Sequence, residues 1–230
     1  MRYIRNALAA ACVAALVPAF AATTAGATAA PRSGSTVADA TIIQGLPKTS
    51  VDVYVNGTEI VQDFRFKGVV GPLPLLPGKY HIAIRLHGAK QGSPPLLSRT
   101  GWLVAGENVT LVADLDPAGA PALTFFCNPD PTLAKGRAML IVRNVAADNG
   151  LNVYAYGLRI FRDLASPAGG RIRLPSEWVR IRLTLFGSSA TAVGPTRFHL
   201  SSQTVTIDYA IGSAAGGTLT SVQQSYPISQ

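Results

Sequence analysis

The residues able to do chemistry are few and scattered. The three histidines are His81, His87 and His199. His81 and His87 fall in one apolar-alternating run with Arg85 between them, on the face opposite Tyr80, Ile82 and Ile84. Six residues of strand span about 20 Å, too far for both to hold one metal, so this reads as a solvated strand face. There is no His-Glu-x-x-His and no Gly-x-Ser-x-Gly. Gly187-Ser188-Ser189 and Gly212-Ser213 have ordinary loop composition. Asp114 and Asp116 form an Asp-x-Asp pair, but Asp208 in the second half has no companion acid, which argues against a duplicated metal site. Asp52, Asp63 and Asp163 flank two similar hairpins and suit turn-bonding roles. The expectation is therefore no catalytic residue, no metal and no cofactor, and a protein that is not an enzyme.

The arginines carry more information. Residues 36–127 hold seven basic and seven acidic side chains, whereas residues 128–230 hold ten and five, and nine of those ten are Arg. Arg171 and Arg173 alternate with Ile172 and Leu174, and Arg180 and Arg182 alternate with Val179 and Ile181. If the two runs pair as a hairpin, the four arginines share one exposed face. Guanidinium groups take carboxylate and phosphate bidentately, so such a face suits an anionic partner: a cell-wall polymer, an acidic glycan or a lipid head group. The competing reading is a solvated face or a blunted edge strand. Nucleic acid is not expected, because a base-stacking aromatic set is missing. Trp102 and Trp178 suit stacking on sugars, but one Trp per small module reads first as core.

These side chains must be positioned by a duplicated scaffold. Residues 51–64 lie over residues 151–164 without a gap, with Val53, Tyr54, Gly57, Ile60 and Asp63 repeated identically. Ile42-Ile43 against Ile141-Val142, Leu76-Pro77 against Leu174-Pro175, and Asn108-Val109-Thr110 against Thr204-Val205-Thr206 follow in the same order. This collinearity implies two homologous modules, 36–127 and 136–230, joined by a Pro-rich linker at 128–135.

Within each module the pattern is all-β. Val51, Val53 and Val55 alternate with polar neighbours, and Asn56-Gly57 fits a two-residue type I′ turn. Pairing across it sets Val53 opposite Ile60 and Val55 opposite Thr58. Tyr156-Gly157 replaces Asn-Gly in the second module and suggests a different turn. Leu73–Leu76 and Tyr80–Leu86, separated by Pro77-Gly78, read as a second hairpin. No stretch of 12 residues after the N-terminal region has helical periodicity. Short strands with closely spaced turn signals argue for tandem β-sandwiches.

The run Val-Asp-Val-Tyr-Val-Asn-Gly (51–57), then Phe64-Arg65-Phe66, Leu-Pro-Gly-Lys-Tyr (76–80) and Ala-Gly-Glu-Asn-Val-Thr (105–110), resembles the bacterial domain of unknown function 4397. The resemblance implies a secreted or surface-associated protein with an immunoglobulin-like or transthyretin-like sandwich. The second module departs from it, since Leu174-Pro175-Ser176-Glu177-Trp178 lacks the Gly. The motifs consist of turn and core residues, so they imply a fold and no catalytic residue.

The N-terminus fits secretion. Arg2 and Arg5 precede an uncharged apolar run, Ala7–Ala22, and a small-residue exit. Residues 1–29 read as a signal peptide, with cleavage after Ala27 or Ala29. The run is short for a membrane span, which needs about 20 residues, and no second such run exists. Cys12 sits inside the apolar run without the preceding Leu of a lipoprotein signal. Cleavage would leave Cys127 as a lone cysteine, read as a small buried hydrophobe, with an intermolecular disulfide as the second option. The functional expectation is a non-enzymatic binding protein of the cell envelope or extracellular space, contacting an anionic polymer or a surface protein. The rivals are an adhesion module pairing through sheet edges and an envelope hydrolase with its site between the modules.

Overall fold

The computed structural model describes residues 34–90 and 92–229. The signal-peptide reading, and with it Cys12, lies outside the described residues. The described chain is strand and loop without helix, in two similar modules of two four-stranded sheets each. The first module contains β1 (Ala38–Gln44), β2 (Val51–Val55), β3 (Thr58–Phe64), β4 (Val69–Leu75), β5 (Gly78–Leu86), β6 (Leu97–Leu103), β7 (Asn108–Leu115) and β8 (Pro121–Cys127). The second repeats the series as β9 (Arg137–Asn144), β10 (Leu151–Ala155), β11 (Leu158–Leu164), β12 (Ala168–Pro175), β13 (Trp178–Leu185), β14 (Thr191–His199), β15 (Thr204–Ile211) and β16 (Thr220–Pro227). The sheets run β4-β1-β7-β8 and β3-β2-β5-β6, then β12-β9-β15-β16 and β11-β10-β13-β14. In each module the first and seventh strands pair in parallel, while the other pairings are antiparallel.

The Asn56-Gly57 turn forms as expected, with φ of 50° and 85°, and Val55 faces Thr58. Tyr156-Gly157 adopts the same turn, with φ of 52° and 79°, so losing Asn does not change its type. The expected Val53–Ile60 pair does not form. Register shifts along the hairpin set Val53 opposite Val61, and Val153 opposite Phe161. Asp63 and Asp163, both at positive φ, lie in these irregular stretches. Their backbone N–H groups donate to Asp52 Oδ1 at 2.9 Å and Asn152 Oδ1 at 3.2 Å, satisfying donors that the irregular ladder frees.

The expected second hairpins are also absent. β4 pairs with β1 and β5 with β2 and β6, so Pro77-Gly78 carries the chain across the sandwich rather than around a turn within one sheet. β12 and β13 are separated in the same way. Leu75 and Tyr80 then meet from opposite sheets in one apolar cluster.

β1, β7, β9 and β15 are buried almost throughout, unlike an outer-sheet strand such as β13, where exposed and buried residues alternate at its start. Ile42 joins the interior of the first module, while Ile43 joins a cluster with Met139, Ile141, Ile207 and Tyr209 of the second. The two central sheets therefore pack on each other as well as on their own partners, giving four stacked layers. Gln224 ties the layers, accepting from Thr110 Oγ1 at 2.8 Å and donating to Thr41 Oγ1 at 3.0 Å. The 128–135 segment, expected as a linker, is pinned. Asn128 is 2% exposed, Leu133 belongs to the inter-module cluster, and Tyr226 donates to the Pro129 carbonyl at 2.7 Å. Cys127 is half-buried at the end of β8.

Candidate ligand-binding face

Val179, Ile181 and Leu183 point into the interior of the second module, so the strand period sends Trp178, Arg180 and Arg182 outward from the β11-β10-β13-β14 sheet. Ile172 and Leu174 share that interior, which sends Arg171 and Arg173 outward from the other sheet of the same sandwich. There they stand opposite Ile141 and Met139, whose side chains face the first module. The four arginines are thus two pairs on opposite faces. The single arginine face expected from the sequence does not exist, because β12 and β13 do not pair.

Other side chains take the place of the missing pair beside Arg180 and Arg182. Trp178 stands across from His199, and Arg180 across from Arg197. The Arg197 guanidinium lies over the Trp178 ring at 4.4 Å, and His199 meets that ring edge-on at 5.5 Å. Arg182 lies over the Tyr154 ring at 4.3 Å. Tyr156, Gly157, Trp178, Val179, Arg180 and Arg197 line an open recess of about 520 Å³. Trp178 is 55% exposed and Trp102 is 56% exposed, so neither is the core residue expected from composition.

Tyr156 is the most informative member. It occupies a left-handed turn position that Asn fills in the first module, and an aromatic side chain tolerates that conformation poorly. Its ring lines the recess and its hydroxyl donates to Glu177 Oε1 at 2.9 Å. Burial, and then the Glu177 carboxylate, push its pKa up to about 12, so it remains a neutral phenol. Strained residues of this kind gather where a side chain is needed at a particular place.

Chemically, the face offers an exposed indole, two tyrosine rings, three guanidinium groups and an imidazole. Aromatic faces accept the C–H surface of a sugar ring, and guanidinium forks accept carboxylates. The remaining histidines form separate pairs on the first module. His81 Nδ1 lies 2.9 Å from Thr100 Oγ1, and His87 Nδ1 lies 2.8 Å from Asp52 Oδ1. The Asp52 bond raises the His87 pKa above its ordinary value. His87 is therefore engaged and not simply solvated. Among the described residues, no group of three or more His, Cys, Asp or Glu is placed to hold a metal ion. Arg197, His199, Tyr154 and Tyr156 escaped the sequence reading. Parity with Val179 and Ile181 was the available signal for Trp178, and the Tyr in an Asn position was the signal for Tyr156.

Residues 38–156 match the family model described as a domain of unknown function, DUF4397. The chain belongs to this family. The match covers the whole first module and continues through β9 and β10 of the second. No curated protein matches the sequence. Among solved structures, the Bacillus anthracis TIE protein is similar at 15% identity and a TM-score of 0.22, over 82% of this chain and 34% of that one. The likeness thus spans about a third of that chain.

Proposed function

We propose that this DUF4397 protein is a non-enzymatic binding protein of the cell envelope or extracellular space, and that it holds an acidic polysaccharide on the outer face of β10, β13 and β14. The carrying observation is the exposed Trp178 set among Arg180, Arg197 and His199, with Tyr156 held in a strained turn at the edge of the same recess. The indole and phenol rings supply flat apolar platforms for sugar rings. The guanidinium groups supply bidentate contacts to carboxylates along the polymer. The signal-like N-terminal sequence supports an address outside the cytoplasm.

The test is cosedimentation of the protein with isolated envelope fractions and with polygalacturonate, at low and high salt. Arg180→Ala/Arg182→Ala/Arg197→Ala should lose binding, and high salt should mimic that loss. Arg171→Ala/Arg173→Ala should bind like the wild type, since that pair points away from the recess. Equal loss in both variants would overturn the assignment of the face. Binding indifferent to salt and to both variants would favour strand addition at a sheet edge. Retention on anionic vesicles, without binding to polygalacturonate, would replace the polysaccharide with a lipid surface.

A further inference from the structure

The first module presents a counterpart of the same face, and the four-layer stack turns it the opposite way. The β5–β6 ladder sets Lys79 across from Trp102 and His81 across from Thr100. The β13–β14 ladder sets Trp178 across from His199 and Arg180 across from Arg197. Ile82 faces Val55 and Ile181 faces Ala155, so the Lys79–Trp102 rung in one module corresponds to the Trp178–His199 rung in the other. Each module thus exposes one indole at the same rung of its outer sheet, on opposite strands of the pair, and in each case the cross-strand neighbour is a basic side chain.

The remaining side chains near Trp102 are also suited to a polar, anionic ligand. His81 and Thr100 form a hydroxyl–imidazole pair on the adjoining rung. Arg85 lies further along the outward side of β5. The carboxylates near this face have partners within the protein: Glu59 accepts from the Tyr54 hydroxyl at 2.6 Å, Asp52 is bonded to His87 at 2.8 Å, and Asp63 is paired with Arg65. Lys79, directly across the ladder from Trp102, is the cation beside the indole.

We propose that the sheet face around Lys79, His81 and Trp102 is a second polysaccharide-binding site, and that the chain is a bivalent linker joining two acidic polysaccharide strands. This rests on the reading of the Trp178 face given above. Both central sheets are buried on both sides, so the two indole faces lie at opposite ends of the stack. Three sheet-to-sheet spacings separate them, about 30 Å at ~10 Å each. They also look in opposite directions. A single extended strand lying on one face does not reach the other, so filling both faces joins two strands. The first module offers one lysine beside its indole, where the second offers two arginines and a histidine. The first site should therefore be the weaker and the less sensitive to salt.

The experiment uses the purified full chain with short oligogalacturonate for stoichiometry and long polygalacturonate for bridging. Calorimetry of the wild type should give two oligomers per chain, and mixing with the long polymer should produce turbidity. Lys79→Ala/Trp102→Ala and Trp178→Ala/Arg180→Ala should each keep one oligomer per chain and lose the turbidity. Unchanged circular dichroism and melting would confirm folding, as expected for exposed positions. One oligomer per wild-type chain, abolished only by the Trp178/Arg180 variant, would overturn the second site and leave the first standing. Full bridging by the Lys79/Trp102 variant would also overturn it. No binding by the wild type would overturn the Trp178 reading and the bivalent reading with it.

Discussion

Asp208 is the place where a single substitution most directly tests the packing of the second module. It lies in β15 on the side shared with Ala210, inside the sandwich, and faces Gln223 of β16. The residue is 2% exposed, and its Oδ1 has no hydrogen-bond partner among the described residues. Burial pushes its pKa from the ordinary 3.8 up to about 6, while neighbouring Ser221 and Gln223 pull part of the way back. The unfolded chain gives up this proton near pH 3.8 and the folded chain holds it to about 6. The folded state therefore binds more protons between those values, and stability falls as pH rises across that window and levels off above it. A difference of about two pH units is worth ~3 kcal/mol at most, at 1.36 kcal/mol per unit. Asp208→Asn removes the ionisation. Urea unfolding at pH 4, 5, 6 and 7.5 should show the variant near wild type at pH 4 and more stable by up to ~3 kcal/mol at pH 7.5. Asp114, pushed up to about 7 by burial, titrates in both proteins and cancels in the difference. A difference curve flat from pH 4 to 7.5 would refute the reasoning and place an uncharacterised proton donor beside the carboxylate.

Three more perturbations follow from particular positions. Tyr156→Asn restores the residue that the first module uses at the same positive φ, and should stabilise the fold by about 0.5–1 kcal/mol while weakening polysaccharide binding; thermal melting and cosedimentation should move in opposite senses. Asp52→Asn removes the partner that raises the His87 pKa, so the His87 titration followed by NMR should shift to lower pH, as should the upper pH limit of any stability the pair contributes. Gly212→Ala places a Cβ 2.4 Å from the Thr218 carbonyl oxygen at a φ of +84°, and should destabilise the chain by ~1–3 kcal/mol in urea unfolding.

Local pattern made part of this molecule legible. Val51, Val53 and Val55 announced an outer strand, and Asn56-Gly57 announced the turn that follows. The gap-free match of 51–64 with 151–164 announced the duplication. What local pattern left open was the neighbour of each strand. An alternating run, a Pro-Gly and another alternating run look alike whether the chain turns back within a sheet or crosses to the facing one. The choice is made by the distant β1–β4 and β9–β12 pairings. That ambiguity decided the fate of the arginine face, since Arg171 and Arg173 follow β12 away from Arg180 and Arg182. Composition also misled about Trp178, whereas parity did not: it lies in step with Arg180 and out of step with Val179 and Ile181. The continuous apolar runs Thr41-Ile42-Ile43 and Ala138–Val142 carried a signal of burial on both faces, and that signal becomes intelligible only with the four-layer stack.

The two copies differ at the contact between them, and that contact fixes how their outer faces are held. Gly45 and Val145 donate their backbone N–H groups to Ala113 and Ala210, which makes Ile43 the counterpart of Arg143, one place beyond the Val142 that the sequence match gave it, and Val112 the counterpart of Tyr209. At these two positions the first module has aliphatic side chains and the second a guanidinium and a phenol. Arg143, only 6% exposed, donates to Asn128 Oδ1 at 2.7 Å and to the Tyr209 hydroxyl at 2.9 Å, and lies 4.2 Å over the Phe126 ring. A buried cation depends on such partners, because removing one of them while the guanidinium stays buried costs about 3–5 kcal/mol. Asn128 in turn donates to Asn108 and Thr110 of the first module, so the connecting segment is bonded into both sides of the contact. The junction is consequently a fixed wall and not a hinge. Two indole faces built on such a wall stay opposed, and a bivalent linker of this kind holds its two strands at one separation.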